Sequence, residues 1–319
     1  MLLEIKNLHF SYEADRPIFN NLNLSIEQGE IVAIAGESGC GKSTLLSLIY
    51  GLYDWQKGDI LLNGKKLLGP KGNLVPGEKE MKFVAQHYDL IPYASVAENV
   101  GLYLSNVNLK AKKDKVLELL DIVDMQDFTH EKPRFLSGGQ QQRVAIARAL
   151  SVPQKLILLD EPFSNLDYSR KVTIREKIFN YAKKNNISII VSTHEIQEIT
   201  PWIDRLIIMK NGKTLQNDSP KNIYQNPNNE YVAQLFGEVN IFNDAEQKQF
   251  GLTKKFYYPT DFEVNPDGED FEVNPDGEDF EVIESRFSGG FYRNKINFYG
   301  KTIVTYSPKK LTNYTNLKY

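Results

Sequence analysis

Residues Glu30–Leu52 read EIVAIAGESGCGKSTLLSLIYGL, and three signals follow one another there. An apolar, partly β-branched run, EIVAIAG, has the length and composition of one buried strand. A polar stretch comes next, GESGCGKST from Gly36 to Thr44, and KSTLLSLIYGL then continues as a helix. This is the pattern G-x-x-x-x-G-K-[ST] in the context it requires, a strand before it and a helix after it. Such a loop cradles phosphates. Gly36, Gly39 and Gly41, with Ser38 and Cys40 between them, let successive backbone N–H groups wrap the anion. Lys42 is expected to reach the β- and γ-phosphates, Ser43 to offer a hydroxyl to Mg²⁺, and Thr44 to touch the α-phosphate. Cys40 has two readings: a thiol whose pKa is lowered by Lys42 and the helix N-terminus, or a small residue that fits the loop.

Outward from this stretch, short apolar runs alternate with helical patterns over the first 235 or so residues, which implies a mostly parallel sheet carrying helices. KLILLDE (155–161) and ISIIVST (187–193) are further buried-strand candidates. Each runs into a polar segment, and ligands of such sheets bind beyond the carboxyl ends of the strands. Asp160 would orient a Mg²⁺ shell there, and Glu161 would polarise an attacking water. His194, directly after ISIIVST, would contact the γ-phosphate. Asn63-Gly64 and Asn211-Gly212 each sit between apolar runs and predict two-residue hairpin turns. Lys110 to Met125 reads as an amphipathic helix through Val116, Leu119, Leu120 and Val123.

A second glycine-bearing stretch, FLSGGQQQR (Phe135–Arg143), opens a helical run. A capping box between Ser137 and Gln140 accounts for those two residues. It does not account for Gly138 and Gly139, because Gly in a helix interior costs about 0.8–1.0 kcal/mol relative to Ala. Bare backbone at a helix N-terminus suits close approach by an anion.

These motifs together resemble the ATP-binding cassette family over residues 1 to about 240. LSGGQ matches the family's signature, and the other marks stand in order: Tyr12, the phosphate loop, Gln86 in FVAQHYDLIP, LILLDE, SNLD (164–167) and His194. The resemblance implies an α/β fold: a P-loop NTPase ABC cassette with a mixed sheet core plus a helical subdomain, followed by a small all-β, OB-like domain. It also implies that Tyr12 stacks on adenine. Gln86 would touch Mg²⁺ and the water and link to a membrane partner, and Asp167 would lie at a dimer contact. Ser137, Gly138, Gly139 and Gln140 would bind the γ-phosphate of ATP held by a second copy of the chain. Glu37 stands where the importer branch of the family commonly has Pro, and Asn165 and Glu195 stand where the resemblance implies Ala and Asp, without removing a catalytic group.

IYQNPNNEYVAQLFGEVNIF resembles the end of the cassette in bacterial importers for polyamines, iron(III), sulfate or sugars, with GEVNIFN nearest the polyamine branch. Those subunits carry a C-terminal regulatory domain of the TOBE type. The expected division is a cassette at 1–237 and a small β domain at 238–319. The latter contains a tandem repeat, DFEVNPDGE, at 261–278. The implied function is a Mg²⁺-dependent ATPase driving an importer, with an exporter or a non-transport cassette ATPase as alternatives. The C-terminal domain argues against an exporter. A single cassette without a long coiled coil argues against a non-transport ATPase.

The net charge of −3 conceals eleven acids and no base between Asp261 and Glu284, which leaves the remainder at +8. That charge is too diffuse to imply nucleic acid. A single cysteine excludes an intramolecular disulfide framework and a multi-cysteine zinc site. MLLEIKNLHF lacks the marks of a signal peptide, and no apolar run approaches a spanning helix. The expected location is the cytoplasmic face of the inner membrane, peripherally bound. Expected partners are a second copy and membrane-spanning permease subunits, with a solute-binding protein engaged indirectly.

Overall fold

The computed structural model describes residues 1–13, 15–85, 88–164, 166, 168–265, 279–311 and 315–318. Gln86, Asn165, Asp167 and most of the tandem repeat lie outside the described residues. By compactness the chain divides into two units, Met1–Ile223 and Tyr224–Tyr319.

In chain order the first unit holds strands β1 (Leu3–Ser11), β2 (Pro17–Ile26), β3 (Ile31–Ala35), β4 (Lys57–Leu62), β5 (Lys65–Lys66), β6 (Met81–Val84), β7 (Leu156–Asp160), β8 (Ser188–Thr193), β9 (Arg205–Lys210) and β10 (Lys213–Asp218). Its principal helices are α1 (Lys42–Tyr50), α2 (Val96–Val100), α3 (Leu109–Ile122), α4 (Gly138–Leu150), α5 (Tyr168–Lys184) and α6 (Ile196–Ile199). Six strands form one sheet in the order β10-β9-β3-β8-β7-β6, parallel except for β10. Strands β3, β7 and β8 are buried at every residue, as the apolar runs in the sequence imply.

A second, antiparallel sheet, β2-β1-β4-β5, accompanies the first. The apolar alternation in β1 breaks at Asn7, which takes φ 49° and shifts the register between Ile5 and Leu8. That break hides the strand from a period-two reading. The two sheets share one apolar cluster: Leu45, Leu46, Leu48 and Ile49 of α1 join Ile5, Phe19 and Ile26 on one side and Ile34, Leu158 and Ile190 on the other. Both Asn-Gly turns form, with Asn63, Gly64, Asn211 and Gly212 all at positive φ, the type I′ pattern.

Helices α2, α3 and α4 pack on one another as a helical subdomain. Val116, Leu119 and Leu120 are buried on α3 as the periodicity predicts, but the helix ends at Ile122, short of Met125, with Val123 its C-terminal cap. Asp124 adopts φ 54°, which an α-helix cannot continue through.

The second unit contains β11 (Asn240–Ile241) paired with β12 (Phe256–Tyr257). It also has an antiparallel five-stranded sheet of β13 (Glu263–Asn265), β14 (Asp279–Phe287), β15 (Tyr292–Phe298), β16 (Lys301–Ser307) and β17 (Thr315–Lys318), in the order β13-β17-β14-β15-β16. Phe242, Phe250, Tyr257, Ile296, Phe298 and Ile303 form its own core. Among the described residues, no helix is long and apolar enough to cross a membrane.

Candidate nucleotide site

The strand register assembles the site. Ala35 of β3 lies beside Thr193 of β8, and Asp160 of β7 lies beside Ser192 of β8. The residues that follow these strands, Gly36, Glu161 and His194, therefore leave the sheet at one edge.

Gly36 is packed so closely that a Cβ there would lie 2.2 Å from the Met209 carbonyl oxygen. Gly39 has open space around it but takes φ 79°, so its backbone conformation is what requires glycine. Helix α1 starts from Gly41 with no side-chain cap and no acid in its first turn. Its N-terminal field and N–H groups thus remain available to an anion. Lys42 is buried, and its ammonium donates to the carbonyls of Gly36 (2.8 Å) and Glu37 (3.1 Å), which holds the charge against the loop. Ser38 and Ser43 are exposed.

Cys40 corrects one reading of the sequence. Its side chain is buried, and that burial pushes the thiol pKa up, outweighing the nearby Lys42 ammonium. The residue is a small apolar plug and not an activated nucleophile.

From Ser43 a line of hydrogen bonds crosses the strand ends. The Ser43 hydroxyl donates to Asp160 Oδ1 at 2.9 Å, and the Ser192 hydroxyl donates to the same oxygen at 2.5 Å. Ser192 in turn accepts from the Glu161 N–H at 2.9 Å. Glu161 stands at φ 47°, in the left-handed region, and its carbonyl accepts from Gln142 Nε2 (3.1 Å) and the Ser164 hydroxyl (3.0 Å). Its carboxylate Oε2 lies 3.5 Å from His194 Nδ1. Behind His194, Glu195 binds the buried Lys171 ammonium of α5 at 2.6 Å.

Tyr12 joins the other end of the cluster. Its hydroxyl lies 3.1 Å from Thr44 Oγ1, and its ring makes edge contacts with Phe10 and Tyr53 at centroid distances of 4.9 and 5.3 Å. Those contacts fix the ring while leaving it 55% exposed, so a flat surface remains for a ligand.

The signature stretch stands apart. Ser137 caps α4, accepting from the Gln140 N–H at 3.3 Å, while Gln140 Oε1 accepts from the Ser137 N–H at 2.8 Å. This box uses the acceptors of both side chains and leaves the Ser137 O–H and the Gln140 NH₂ as donors. Gly138 is exposed, and a Cβ on it would meet nothing within 4 Å, whereas Gly139 is buried. The hydrogen bonds of Ser137–Gln140 do not reach the phosphate loop. Helix α4 meets the cluster through Gln142.

Sequence reasoning missed Ser192, Gln142 and Lys171. A serine inside the apolar run ISIIVST and a glutamine leading into VAIARAL were the available signals, because a polar side chain in a buried element needs a partner.

A groove of about 220 Å³ is lined by Tyr50, Lys82, Ala85, Tyr88, Tyr103 and Arg148. Ala85 and Tyr88 flank in sequence the segment bearing Gln86. Arg148 fixes the far wall by donating to the carbonyls of Tyr88 (2.9 Å) and Asp89 (2.8 Å).

Comparison with known proteins agrees with this geometry. A family model described as ABC transporter matches residues 19–164. The spermidine/putrescine import ATP-binding protein PotA of Pasteurella multocida is 39% identical over 245 residues, covering 76% of this chain and 65% of that protein. Its counterpart in Haemophilus influenzae strain Rd is 38% identical over 244 residues, covering 76% and 64%. The match thus spans slightly less than two-thirds of either relative. Among solved structures, the dimeric post-hydrolysis state of the ATP-binding cassette MJ0796 bound to ADP and Pi aligns at TM-score 0.61 and 30% identity, over 68% of this chain and 98% of that one. CbiO1 from Clostridium perfringens, part of an ABC transporter complex, aligns at TM-score 0.61 and 28% identity, over 70% and 90%. With its phosphate loop, paired carboxylates, histidine and signature helix placed as described, the chain belongs to the ABC transporter family of ATP-binding cassettes.

Proposed function

We propose that this chain is the ATP-hydrolysing subunit of an importer for polyamine-type solutes, bound peripherally at the cytoplasmic face of the membrane through a separate permease. The observation that carries the reading is the line Ser43–Asp160–Ser192–Glu161, ending at His194. It sets a hydroxyl, a buried carboxylate, a second carboxylate and an imidazole along the edge where the phosphate loop opens.

In this reading Tyr12 stacks on adenine and the loop amides of residues 36–44 hold the phosphates. Lys42 offsets the charge of the β- and γ-phosphates. Ser43 and Asp160, with Gln86, would hold Mg²⁺. The donor set fits that ion, since a hydroxyl, a carboxylate and an amide carbonyl all offer oxygen. Among the described residues there is also no cluster of three or more acids, histidines or cysteines to form a protein-only cage. Bound there, Mg²⁺ would offset charge on the β- and γ-phosphate oxygens. Glu161 accepts a proton from the water that attacks the γ-phosphorus, and the bond to the bridging oxygen breaks, releasing ADP and phosphate. His194 steadies the γ-phosphate.

Two copies of the chain then close around two ATP molecules. The Ser137 O–H, the Gln140 NH₂ and the amides at the start of α4 donate to the partner's γ-phosphate, and Asp167 lies at the contact. Each such bond to a charged group contributes about 1.5–3 kcal/mol. Shifting an equilibrium from 1:99 to 99:1 takes about 5.5 kcal/mol, so a few bonds that ADP cannot make suffice. The groove lined by Ala85 and Tyr88 is the docking place for the permease, and a solute-binding protein reaches this chain only through that permease. Residues 1–237 act as the cassette and 238–319 as its β-rich appendage. GEVNIFN, the antiparallel C-terminal sheet and the likeness to polyamine import subunits support the importer reading.

The test is Glu161→Gln. Nucleotide binding should stay within about twofold, hydrolysis should fall roughly 10²–10⁴-fold as for a lost general base, and ATP should trap a dimer visible by light scattering. Undiminished hydrolysis would overturn the assignment.

A further inference from the structure

Gln142 is an anomaly in α4. It is buried to 2% exposure, yet its Oε1 has no hydrogen-bond partner among the described residues. A buried unsatisfied acceptor is costly. Its other end explains why the amide is there: Nε2 donates at 3.1 Å to the backbone carbonyl of Glu161.

That carbonyl belongs to a residue at φ 47°, a conformation that persists only when its surroundings impose it. The Glu161 N–H is held by Ser192 of β8, and its carbonyl is shared by Gln142 and Ser164. Ser192 and Ser164 belong to the acid's own strand edge and turn. Gln142 alone of the three comes from α4, five residues beyond the Ser137 cap. Arg143, the next residue, ties the same turn of α4 to the carbonyls of Val123 (3.2 Å) and Asp124 (2.8 Å), so the helix is gripped on both sides.

We propose that Gln142 is a positioning residue that couples the two nucleotide sites of the dimer. The inference rests on the reading above, in which the N-terminus of α4 binds ATP held by the partner while Glu161 acts on ATP held by its own chain. One rigid helix then touches the partner's γ-phosphate at one end and, about one and a half turns on, the backbone of its own catalytic carboxylate. A small shift of α4 when a phosphate docks changes how firmly the Glu161 carbonyl is held. Occupancy of one site thereby sets the aim of the carboxylate in the other.

The test is Gln142→Met in the full-length chain, an unbranched replacement of similar length that removes both the amide donor and the orphaned oxygen. If Gln142 only fills space, Met should leave stability and turnover unchanged or improved. The proposal expects stability to hold while turnover falls. Unfolding stability and the Kd for ATP should remain within about twofold of wild type, while kcat falls about tenfold, the factor expected from the loss of about one hydrogen bond's worth of alignment. The Hill coefficient for ATP should exceed one in the wild type and drop to one in the variant. Retained kcat, or a retained Hill coefficient, in the folded variant would overturn the proposal. So would a loss of kcat that parallels a loss of stability and of ATP affinity. Glu161→Gln, measured alongside, separates the two claims: if it abolishes hydrolysis while Gln142→Met does not, the coupling fails and the role of Glu161 stands.

Discussion

Glu161 carries its carboxylate on a backbone that a non-glycine residue adopts at a cost of about 1–3 kcal/mol, and side chains from β8, α4 and the following turn hold it there. The acid itself was legible in the sequence, because Asp-Glu at the end of an apolar run states both its residue type and its edge of the sheet. Ser192 was not, since its partners are set by the β7–β8 register and a single strand does not reveal its neighbours. Cys40 illustrates the same limit. The sequence places it beside Lys42, but the two effects on its thiol compete, and burial dominates only once the fold is known. A thiol whose pKa is raised is protonated at neutral pH and slow to react. Iodoacetamide at pH 7.5 should therefore label Cys40 at least tenfold more slowly in the native chain than in urea, with mass spectrometry as the readout. Equal rates would show that the plug is open to solvent. Raising the pH through the unfolded thiol's pKa should also erode the stability contributed by keeping Cys40 protonated, since the unfolded chain releases that proton first.

At the scale of elements, α4 has the strongest consequence. The capping box explains Ser137 and Gln140 within one chain, and among the described residues nothing crowds a side chain at Gly138. On the proposed reading, Gly138 keeps the backbone bare for nucleotide held by a second copy of the chain. Mixing chains tests this. A Lys42→Ala subunit loses its grip on phosphate, and a Gly138→Asp subunit sets a carboxylate against the incoming one, so each homodimer should be inactive. In a mixed dimer one site carries both lesions and the other none. Single-turnover hydrolysis should return on mixing, to at most about half the wild-type amplitude if one of two sites is intact. No recovery, with mixed dimers demonstrated by tagged pull-down, would place the signature in its own chain's site. The starts of α1 and α4 were legible because a glycine-rich phosphate-loop pattern leads into the first and a Ser137–Gln140 capping box opens the second. The end of α3 was not, because Asp124 leaves the helix through a left-handed turn that a continuing apolar spacing does not announce.

The whole molecule consists of two units, each with its own apolar core. The shift toward aromatic and β-branched residues after about residue 237 pointed to the second core. It did not locate where compactness divides the chain, at Ile223/Tyr224, because the short helices Pro220–Gln225 and Glu230–Gln234 lie across that region and read locally like more cassette. Separate cores should give two calorimetric transitions. ATP with Mg²⁺ should move only one of them upward, by about 2.7 kcal/mol of added stability at a hundred times the Kd. A single transition that shifts as a whole would show that the units unfold together. If nucleotide guards one core and not the other, a cell depleted of nucleotide would expose the cassette to proteases while the β-rich unit kept its intrinsic lifetime. The abundance of the protein would then follow the supply of the nucleotide it is proposed to hydrolyse, with degradation acting as a slow gauge of cellular energy.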